Sequence, residues 1–313
     1  MGEKITEIRH YVTAAGSEIT IPVATVAGNH EGPTLVVTAG IHGCEYPGIV
    51  SAIKLFKELS PDDLHGTVKI IPVCSMAAFE ARSMFVAPED KVNLNRVFPG
   101  DAEGGYSEAL AAHIFDEIKG ADYHVDLHGG DMVEMLEPFS ICHDGPTEAI
   151  RALSFDIARA YGLPNVVFSK TAGHWPDSGT TYANVCEKLG IPSAIVEVGG
   201  MGVLDDESVE KHLFGLKNVL RRFGLLAGGA DAVAEPSVYD DMVWLYTQNK
   251  GLYYRLVTVG DVVQKGQTMG SVEDIFGRHL EEVTSPADGK VLFLTGNPSM
   301  PEHGLIAGIG IAK

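Results

Sequence analysis

The sequence predicts an α/β domain followed by a small all-β domain, and three observations support this prediction. Over most of the chain, short runs rich in valine and isoleucine alternate with stretches of helical periodicity. From residue 237 onward the chain instead carries short apolar runs separated by glycine turns. Residues 227–231 (AGGAD), between the two parts, have the composition of a linker. We therefore predict two domains, residues 1–230 and 231–313.

The predicted strands of the first domain are short and apolar, and they end in glycine or a polar residue. They cover residues 34–40 (TLVVTAG), 67–74 (TVKIIPVC), 122–128 (DYHVDLH) and 192–199 (PSAIVEVG). Between them, stretches such as 48–59 and 107–119 carry apolar residues at three- and four-residue intervals, which is typical of amphipathic helices. This alternation predicts a largely parallel or mixed sheet covered by helices.

Composition and charge limit the classes of function. The 313-residue chain has 23 Lys and Arg against 42 Asp and Glu, a formal net charge of −19. This charge argues against nonspecific binding to nucleic acid or anionic lipid, and an acidic substrate would need a local group of arginines. No apolar run approaches the roughly 18 residues that span a bilayer, and the chain does not begin with a signal-peptide pattern. We expect a cytoplasmic protein with a small-molecule partner, as a monomer or a homo-oligomer.

Three residues are candidates for a metal site. His42 and Glu45 directly follow the predicted strand 34–40, and His128 stands at the carboxyl end of the predicted strand 122–128. Open α/β sheets bind ligands at this edge, so the shared position strengthens an H-x-x-E spacing that is weak by itself. Two histidine nitrogens and one carboxylate oxygen fit a catalytic site for one Zn²⁺ per chain, with the fourth position open.

The four cysteines are expected to be reduced thiols. They show no paired C-x-x-C spacing and are too few for a disulfide scaffold. They are Cys44, Cys74, Cys142 and Cys186. Cys44 lies between two candidate ligands, but a small buried residue beside the site is the commoner outcome, so we leave it out of the ligand set.

Two further carboxylates lie near the candidate ligands. Asp126 precedes His128 by two residues and therefore faces the same side of its strand. It is a candidate to accept the second ring N–H of a ligand histidine, His42 in preference to His128, or else a buried aspartate that caps backbone amides. Glu197, at the exit of an apolar strand, is the candidate general base, the alternative being an ion pair with Arg or Lys.

Two arginines and an asparagine are candidates for binding the substrate. Asn95 and Arg96 stand side by side in residues 93–100 (NLNRVFPG), and Arg82 lies fourteen residues before Arg96. Arg96 with Asn95 would hold a substrate carboxylate, and Arg82 would polarise the scissile carbonyl. On spacing alone, a solvated surface arginine is the commoner outcome.

Together these motifs resemble the succinylglutamate desuccinylase and aspartoacylase family, a branch of the zinc carboxypeptidase superfamily. The shared pattern is H-x-x-E after a first strand, an arginine followed by NLNR-x-FPG, then DLH and VEVGG, across about residues 35–200. The resemblance implies that the three candidate ligands bind zinc and that Glu197 activates water. It also implies that Asn95 and Arg96 bind the substrate carboxylate and that Arg82 polarises the carbonyl.

The resemblance also implies a fold, namely a carboxypeptidase-like mixed sheet flanked by helices and followed by a small β domain that covers the active site. Residues 259–271 (VGDVVQKGQTMGS) and 285–292 (SPADGKVL) are similar to the hairpins of a lipoyl-like barrel-sandwich. Residues 272–278 (VEDIFGR) lack the modifiable lysine, so no prosthetic group is expected. A tyrosine of this domain, Tyr253 or Tyr254, is expected over the substrate, and we select Tyr254.

The function implied is zinc-dependent hydrolysis of the amide bond of a small N-acyl amino acid, with Glu197 as general base. Within the family, the lipoyl-like ending is closer to the N-acetyl-diaminobutyrate deacetylases. One alternative is a metallocarboxypeptidase acting on short peptides, and another is a noncatalytic binding protein on the same fold. The sequence leaves open the acyl group and the roles of His124, His143 and His174.

Overall fold

The computed structural model of the chain describes residues 2–169 and 179–312. The strands of its first part are β1 Glu3–Val12, β2 Glu18–Ala27, β3 His30–Ala39, β4 His65–Ile71, β5 Tyr123–His128, β6 Glu134–Leu136, β7 Phe139–His143, β8 Asn165–Ser169, β9 Ser193–Glu197 and β10 Ser237–Tyr239. All except β6 form one sheet in the order β1-β2-β4-β3-β5-β9-β7-β8-β10. The strands predicted around residues 34–40, 67–74, 122–128 and 192–199 are present as β3, β4, β5 and β9.

The centre of this sheet is parallel. Strand β3 pairs in parallel with β4 and β5, and β5 pairs in parallel with β9, whereas β7 runs antiparallel to β9. The predicted mixed α/β sheet is therefore confirmed. Because parallel strands end at the same edge, the carboxyl ends of β3, β5 and β9 lie next to one another.

Helices cover both faces of the sheet. They are α1 Tyr46–Glu58, α2 Met76–Ala81, α3 Tyr106–Ile118, α4 Glu148–Tyr161, α5 Thr181–Asn184 and α6 Asp206–Arg222, with a 3₁₀ turn at Leu94–Arg96 and a π-helical turn at Val185–Leu189. Helices α1, α4 and α6 contribute to the apolar core on one face, and α3 contributes to a second core on the other face. Helix α6 shows why such segments are helical, because Asp205 caps its first turn and Arg221 and Arg222 occupy its last turn.

The last part of the chain forms two antiparallel sheets. Its strands are β11 Asp241–Tyr246, β12 Gly251–Arg255, β13 Val262–Val263, β14 Thr268–Glu273, β15 His279–Thr284, β16 Gly289–Thr295, β17 Ser299–Met300 and β18 Leu305–Ile311. One sheet has the order β11-β18-β16-β13, and the other has the order β15-β14-β12-β17. A separate apolar core between them includes Met269, Val291 and Ile306.

Strand pairing crosses the predicted domain boundary in both directions. Strand β10 follows the predicted linker in sequence but pairs with β8 of the large sheet. Strand β6 precedes the linker but pairs with β16 of the C-terminal sheet. The two parts of the chain therefore share backbone hydrogen bonds. Among the described residues, no helix is both long and apolar enough to cross a membrane.

Helix α6 packs tightly against Tyr161 of α4 at Gly215, where a larger residue has no space. An added Cβ would lie 2.3 Å from the ring of Tyr161, and the Tyr161 hydroxyl is itself held 2.8 Å from Nδ1 of His212. We expect Gly215→Ala to lower the free energy of unfolding by about 1–3 kcal/mol, although alanine favours helix. The measurement is the melting temperature by calorimetry.

Gly229→Ala is the matched control for this substitution, because an added Cβ there meets no atom within 4 Å. An unchanged melting temperature for Gly215→Ala would show that the two helices can move apart without cost.

Candidate active site

Three side chains that are far apart in sequence meet at the carboxyl edge of the sheet. One ligating atom from each of His42, Glu45 and His128 lies within 4.8 Å of the other two. Nδ1 of His42 is 2.7 Å from Oε1 of Glu45, and Nδ1 of His128 is 3.0 Å from Oε2 of the same carboxylate. The structure thus brings together the three predicted metal ligands.

The loop after β3 places the first two of these side chains. His42 lies in the turn that leaves β3, and Glu45 is the N-cap residue of α1. The positive end of a helix dipole stabilises a carboxylate in that position. Gly43 between them packs against α2 so closely that a Cβ would lie 2.3 Å from the backbone nitrogen of Phe79. The loop geometry therefore depends on a residue without a side chain at Gly43.

Strand register places His128 beside Glu197. The two residues are direct partners in the parallel pairing of β5 with β9. Burial and the carboxylates of Glu45 and Asp126 raise the pKa of Glu197 to about 8, although the His128 ring opposes this shift. Glu197 consequently holds a proton more readily than an ordinary glutamate does, next to the three clustered side chains.

The two histidines give Glu45 the opposite behaviour. Burial alone would raise the pKa of its carboxyl, but the neighbouring His42 and His128 lower that pKa to about 2. Burial likewise acts to lower the pKa of His128, but Asp126 and Glu45 raise it well above its usual value. Without a metal ion, Glu45 is therefore a carboxylate neutralised by histidine.

Asp126 contacts a histidine of the cluster, but not the one that was preferred from the sequence. Its Oδ2 lies 3.2 Å from Nε2 of His128, and its Oδ1 accepts a hydrogen bond of 2.6 Å from the Thr38 hydroxyl. The preference for His42 is therefore wrong. The reason is the strand geometry, because residues two apart on β5 lie side by side, whereas His42 lies on a separate loop.

The ring of His42 is held instead by Asn93, which the sequence analysis did not single out. Oδ1 of Asn93 lies 3.1 Å from Nε2 of His42 and also accepts a hydrogen bond of 2.9 Å from the backbone N–H of Asn95. Asn93 is the first residue of the NLNR motif. Its amide side chain, close in sequence to Asn95, is the sequence feature that could have identified it.

A buried row of hydrogen bonds continues behind Asp126. His124 is fully buried on β5, with Nε2 2.9 Å from Oγ1 of Thr38 and Nδ1 2.7 Å from the Ser193 hydroxyl. Burial lowers the pKa of His124 to about 4, so its ring is neutral at ordinary pH. His124 thus supports Asp126 through Thr38 and does not belong to the metal cluster.

Asn95 and Arg96 both line the pocket above the cluster. Asn95 is buried, and its Oδ1 accepts hydrogen bonds of 2.9 and 3.1 Å from the backbone and the hydroxyl of Thr181. Its amide NH₂ is the end left to donate to a ligand. Arg96 is exposed, and its Nη1 donates to the carbonyl of Asn95 at 2.7 Å.

Two predicted residues lie elsewhere. Arg82 is an exposed residue at the C-cap of α2, in the left-handed conformation with φ of 51°, and it is absent from the described pocket lining. Tyr254 is half exposed on β12, and its neighbour Tyr253 is buried with its hydroxyl bonded to the carbonyl of Met269. The predicted placement of Tyr254 over the site is corrected, because β12 belongs to the C-terminal sheet that does not face the pocket.

The other C-terminal sheet supplies the pocket wall. The side chains of this sheet that line the pocket are Trp244, Tyr246, Phe293 and Leu305, and those from the first part of the chain include Leu136, Phe139, Ile141 and Ile195. The wall of the pocket is therefore largely apolar and aromatic, and its charged groups besides the three clustered ligands are Arg96, Glu134 and Glu197. This is the usual composition of a small-molecule site.

The remaining candidates are outside the cluster. Cys44 is buried, and all four cysteines are free thiols, as predicted. His143 is buried, with Nδ1 accepting from the N–H of Gly145 at 2.9 Å and Nε2 3.6 Å from Glu187. His174 lies outside the described residues.

A pocket lined by a His-Glu-His cluster, with an adjacent carboxyl of raised pKa, has the features of a candidate catalytic site on an α/β fold. The chain belongs to the succinylglutamate desuccinylase/aspartoacylase family, since the model of that family's catalytic domain matches residues 31–223. The family predicted from the motifs is therefore confirmed.

Several relatives support this membership. The N-alpha-acetyl-L-2,4-diaminobutyric acid deacetylase of Halomonas elongata is 32% identical over 269 residues, 84% of this chain and 76% of that protein. The product-bound ectoine utilization protein EutE (DoeB) of Ruegeria pomeroyi is 26% identical with a TM-score of 0.87, covering 99% of this chain and 96% of that one. A succinylglutamate desuccinylase/aspartoacylase of Rhodobacter sphaeroides is 27% identical with a TM-score of 0.86, covering 100% and 96%.

The raised pKa of Glu197 has a consequence for stability in metal-free protein. Folding favours its protonated form, so its contribution to stability is complete below pH 4.5 and is lost as the pH rises through about 8. Gln resembles the protonated carboxyl. We expect Glu197→Gln to raise the melting temperature of metal-free protein by a few degrees at pH 9, and by less at pH 6.

The exposed Glu103→Gln is the control for this measurement. If parent and Glu197→Gln proteins lose stability equally between pH 6 and 9, burial does not raise the pKa of this carboxyl.

Proposed function

We propose that this protein is a zinc-dependent amidohydrolase that cleaves the amide bond of a small N-acyl amino acid. The observation that carries the proposal is the cluster of His42, Glu45 and His128 at the base of a pocket, with Glu197 beside it. Membership of a family of desuccinylases and aspartoacylases supports the reaction class.

The cluster fits a zinc ion. The buried carboxylate of Glu45 faces the rings of His42 and His128 at 2.7 and 3.0 Å, and its Oε2 has no well-aligned hydrogen bond among the described residues. A buried carboxylate is costly unless cations compensate its charge, and a metal ion bound by the cluster would do so. Two nitrogens and one carboxylate oxygen, with Asn93 and Asp126 holding the far sides of the rings, are the donors and outer partners of catalytic zinc sites. Zinc bound there would supply a Lewis acid and lower the pKa of water toward neutrality.

Glu197 acts as the proton carrier. Burial raises the pKa of Glu197 in metal-free protein, and a zinc ion beside it would lower this pKa toward the range in which a carboxyl can both accept and release a proton. In the proposed reaction the carboxylate takes a proton from the attacking water and delivers it to the leaving nitrogen. Its place beside His128 in the strand register keeps it next to the ligands.

Arg96 and Asn95 orient the substrate. The guanidinium at the pocket wall binds the carboxylate of the amino acid, and the amide NH₂ of Asn95 donates a second hydrogen bond. We keep Arg82 as a candidate to polarise the scissile carbonyl, which requires its exposed side chain to turn from its present position into the pocket.

The relatives favour an acetyl group among the acyl groups. The deacetylase from Halomonas elongata acts on an N-acetylated diamino acid by its name, and the present chain shares 32% of its residues with it over 84% of its own length. We propose the same branch for this protein. The domain division at residue 230, a lipoyl-like C-terminal unit and a cytoplasmic location remain part of this proposal.

A metallocarboxypeptidase is the second candidate, and the pocket wall argues against it. Aromatic side chains of the C-terminal sheet, including Trp244, Tyr246 and Phe293, line the same pocket as the cluster, and we infer that they limit the length of a bound peptide. We expect kcat/KM for an N-acyl amino acid to be at least roughly tenfold higher than kcat/KM for a dipeptide that has the same amino acid at its C-terminus. Amine release from a matched panel measures this ratio, and the reverse order would favour the carboxypeptidase.

Two substitutions distinguish the role of the metal ligands from that of the general base. We expect the parent protein to hold about one zinc per chain. His128→Ala should lose most of this zinc and its activity, whereas Glu197→Gln should keep the zinc and lose roughly 10²–10⁴-fold in kcat. Metal content by mass spectrometry and amine release are measured on the same samples.

His113→Ala is the matched histidine control, because this residue stacks on Tyr11 and is not part of the cluster. Parental turnover by zinc-loaded Glu197→Gln would remove Glu197 as the base. Parent protein that takes up no zinc, and cleaves no member of the panel, would favour the noncatalytic binding protein.

A further inference from the structure

A third carboxylate lines the pocket besides Glu45 and Glu197, and the proposed reaction does not use it. Glu134, the first residue of β6, lines the same pocket as Arg96 and Glu197. Among the described residues, no Lys, Arg or His forms an ion pair with it. Within the described part of the chain, its carboxyl accepts one hydrogen bond, from the backbone N–H of Asp131 to Oε2 at 3.1 Å.

The surroundings of Glu134 disfavour the ionised form of its carboxyl. Burial raises the pKa of its carboxyl well above the ordinary value, and Glu45, Glu197 and Asp131 add to this shift. A carboxylate in an apolar pocket is costly unless a cation or several donors compensate it. Among the described residues no side chain supplies such a cation, and a bound ligand could supply it.

The charges of the pocket point to the form of this ligand. Apart from the metal cluster and Glu197, the described charged side chains that line the pocket are one cation, Arg96, and one anion, Glu134. A ligand that satisfies both carries a carboxylate and an ammonium group. The apolar wall, which includes Leu136, Phe139 and Ile195, would contact the methylene groups between them and exclude water from the ion pairs.

We propose that Glu134 binds the free ammonium group on the side chain of the diamino acid substrate, and so selects this substrate over a monoamino acid of the same length. This inference rests on the proposed function, and it adds the residue that selects the substrate. The alternative is that Glu134 only holds the loop at Asp131. The hydrogen bond to Asp131 needs one oxygen and no charge, whereas binding of an ammonium group needs the charge. A substitution that removes only the charge therefore separates the two roles.

The test uses Glu134→Gln and two ligands that differ only in the ammonium group. Gln keeps an oxygen to accept from Asp131 but removes the charge. The substrates are Nα-acetyl-2,4-diaminobutyrate and Nα-acetyl-2-aminobutyrate. We expect Glu134→Gln to lower kcat/KM for the diamino substrate roughly 10- to 100-fold, mainly through KM, and to change the monoamino substrate less than about threefold.

Binding of the free amino acids by calorimetry, with the zinc-loaded proteins, is the second measurement. We expect the parent to bind 2,4-diaminobutyrate more tightly than 2-aminobutyrate, and Glu134→Gln to lose this difference. Glu137→Gln is the matched control, because Glu137 pairs with Lys290 at 3.0 Å and is not part of the described pocket lining.

The outcomes separate this inference from the proposed function. If the parent cleaves both substrates but Glu134→Gln weakens both equally, Glu134 only holds the loop and the inference is wrong. If the parent binds neither amino acid, or binds both equally, the ammonium site is also excluded. If the parent cleaves nothing but shows an ammonium preference that Glu134→Gln abolishes, the proposed reaction fails and the ammonium site stands.

Discussion

The parallel pairing of β5 with β3 on one side and with β9 on the other is the constraint on which the site depends. This register makes Asp126 the partner of Thr38, and His128 the partner of Glu197. Successive side chains of a strand alternate between faces, so a shift of one residue would replace this polar row by Val125 and Leu127. The hydrogen bond from Thr38 to Asp126 therefore exists only in this register, and it holds the carboxylate that contacts His128 on the same strand.

The pocket contains carboxyl groups with opposite tendencies, although all are glutamates. Glu45 is held between two histidines, which keep the pKa of its carboxyl at about 2. Glu197 and Glu134 are buried among other carboxylates, and their pKa values are raised. Environments that separate the pKa values of neighbouring acids allow one to bind a cation and another to carry a proton. The same amino acid thus supports different roles according to the charges that surround it.

The exchange of strands between the two parts of the chain shapes the rest of the pocket. Strand β6 follows β5 of the large sheet in sequence but pairs with β16 of the C-terminal sheet. This pairing places Glu134 and Leu136 in the pocket wall. The C-terminal sheet that receives β6 also presents Trp244 and Phe293 to the pocket. Substrate selection is therefore expected to depend on side chains from both parts, held by one set of backbone hydrogen bonds.

The sequence by itself determined the α/β class, the family and the set His42, Glu45 and His128. These follow from local patterns, because apolar periodicity marks the strands and the polar residues that follow them must meet at one edge. The strand 122–128 also predicted that Asp126 and His128 face the same side, which the structure shows.

Only the tertiary structure decided which residues surround the ligands. Asp126 lies against His128 because of strand geometry, Asn93 takes the place beside His42, and Tyr254 lies on the sheet that does not face the pocket. Glu134 reaches the pocket only because β6 pairs with β16, some 160 residues later in the chain. Such contacts depend on how elements pack over long sequence separations, and no local pattern of residues records that packing.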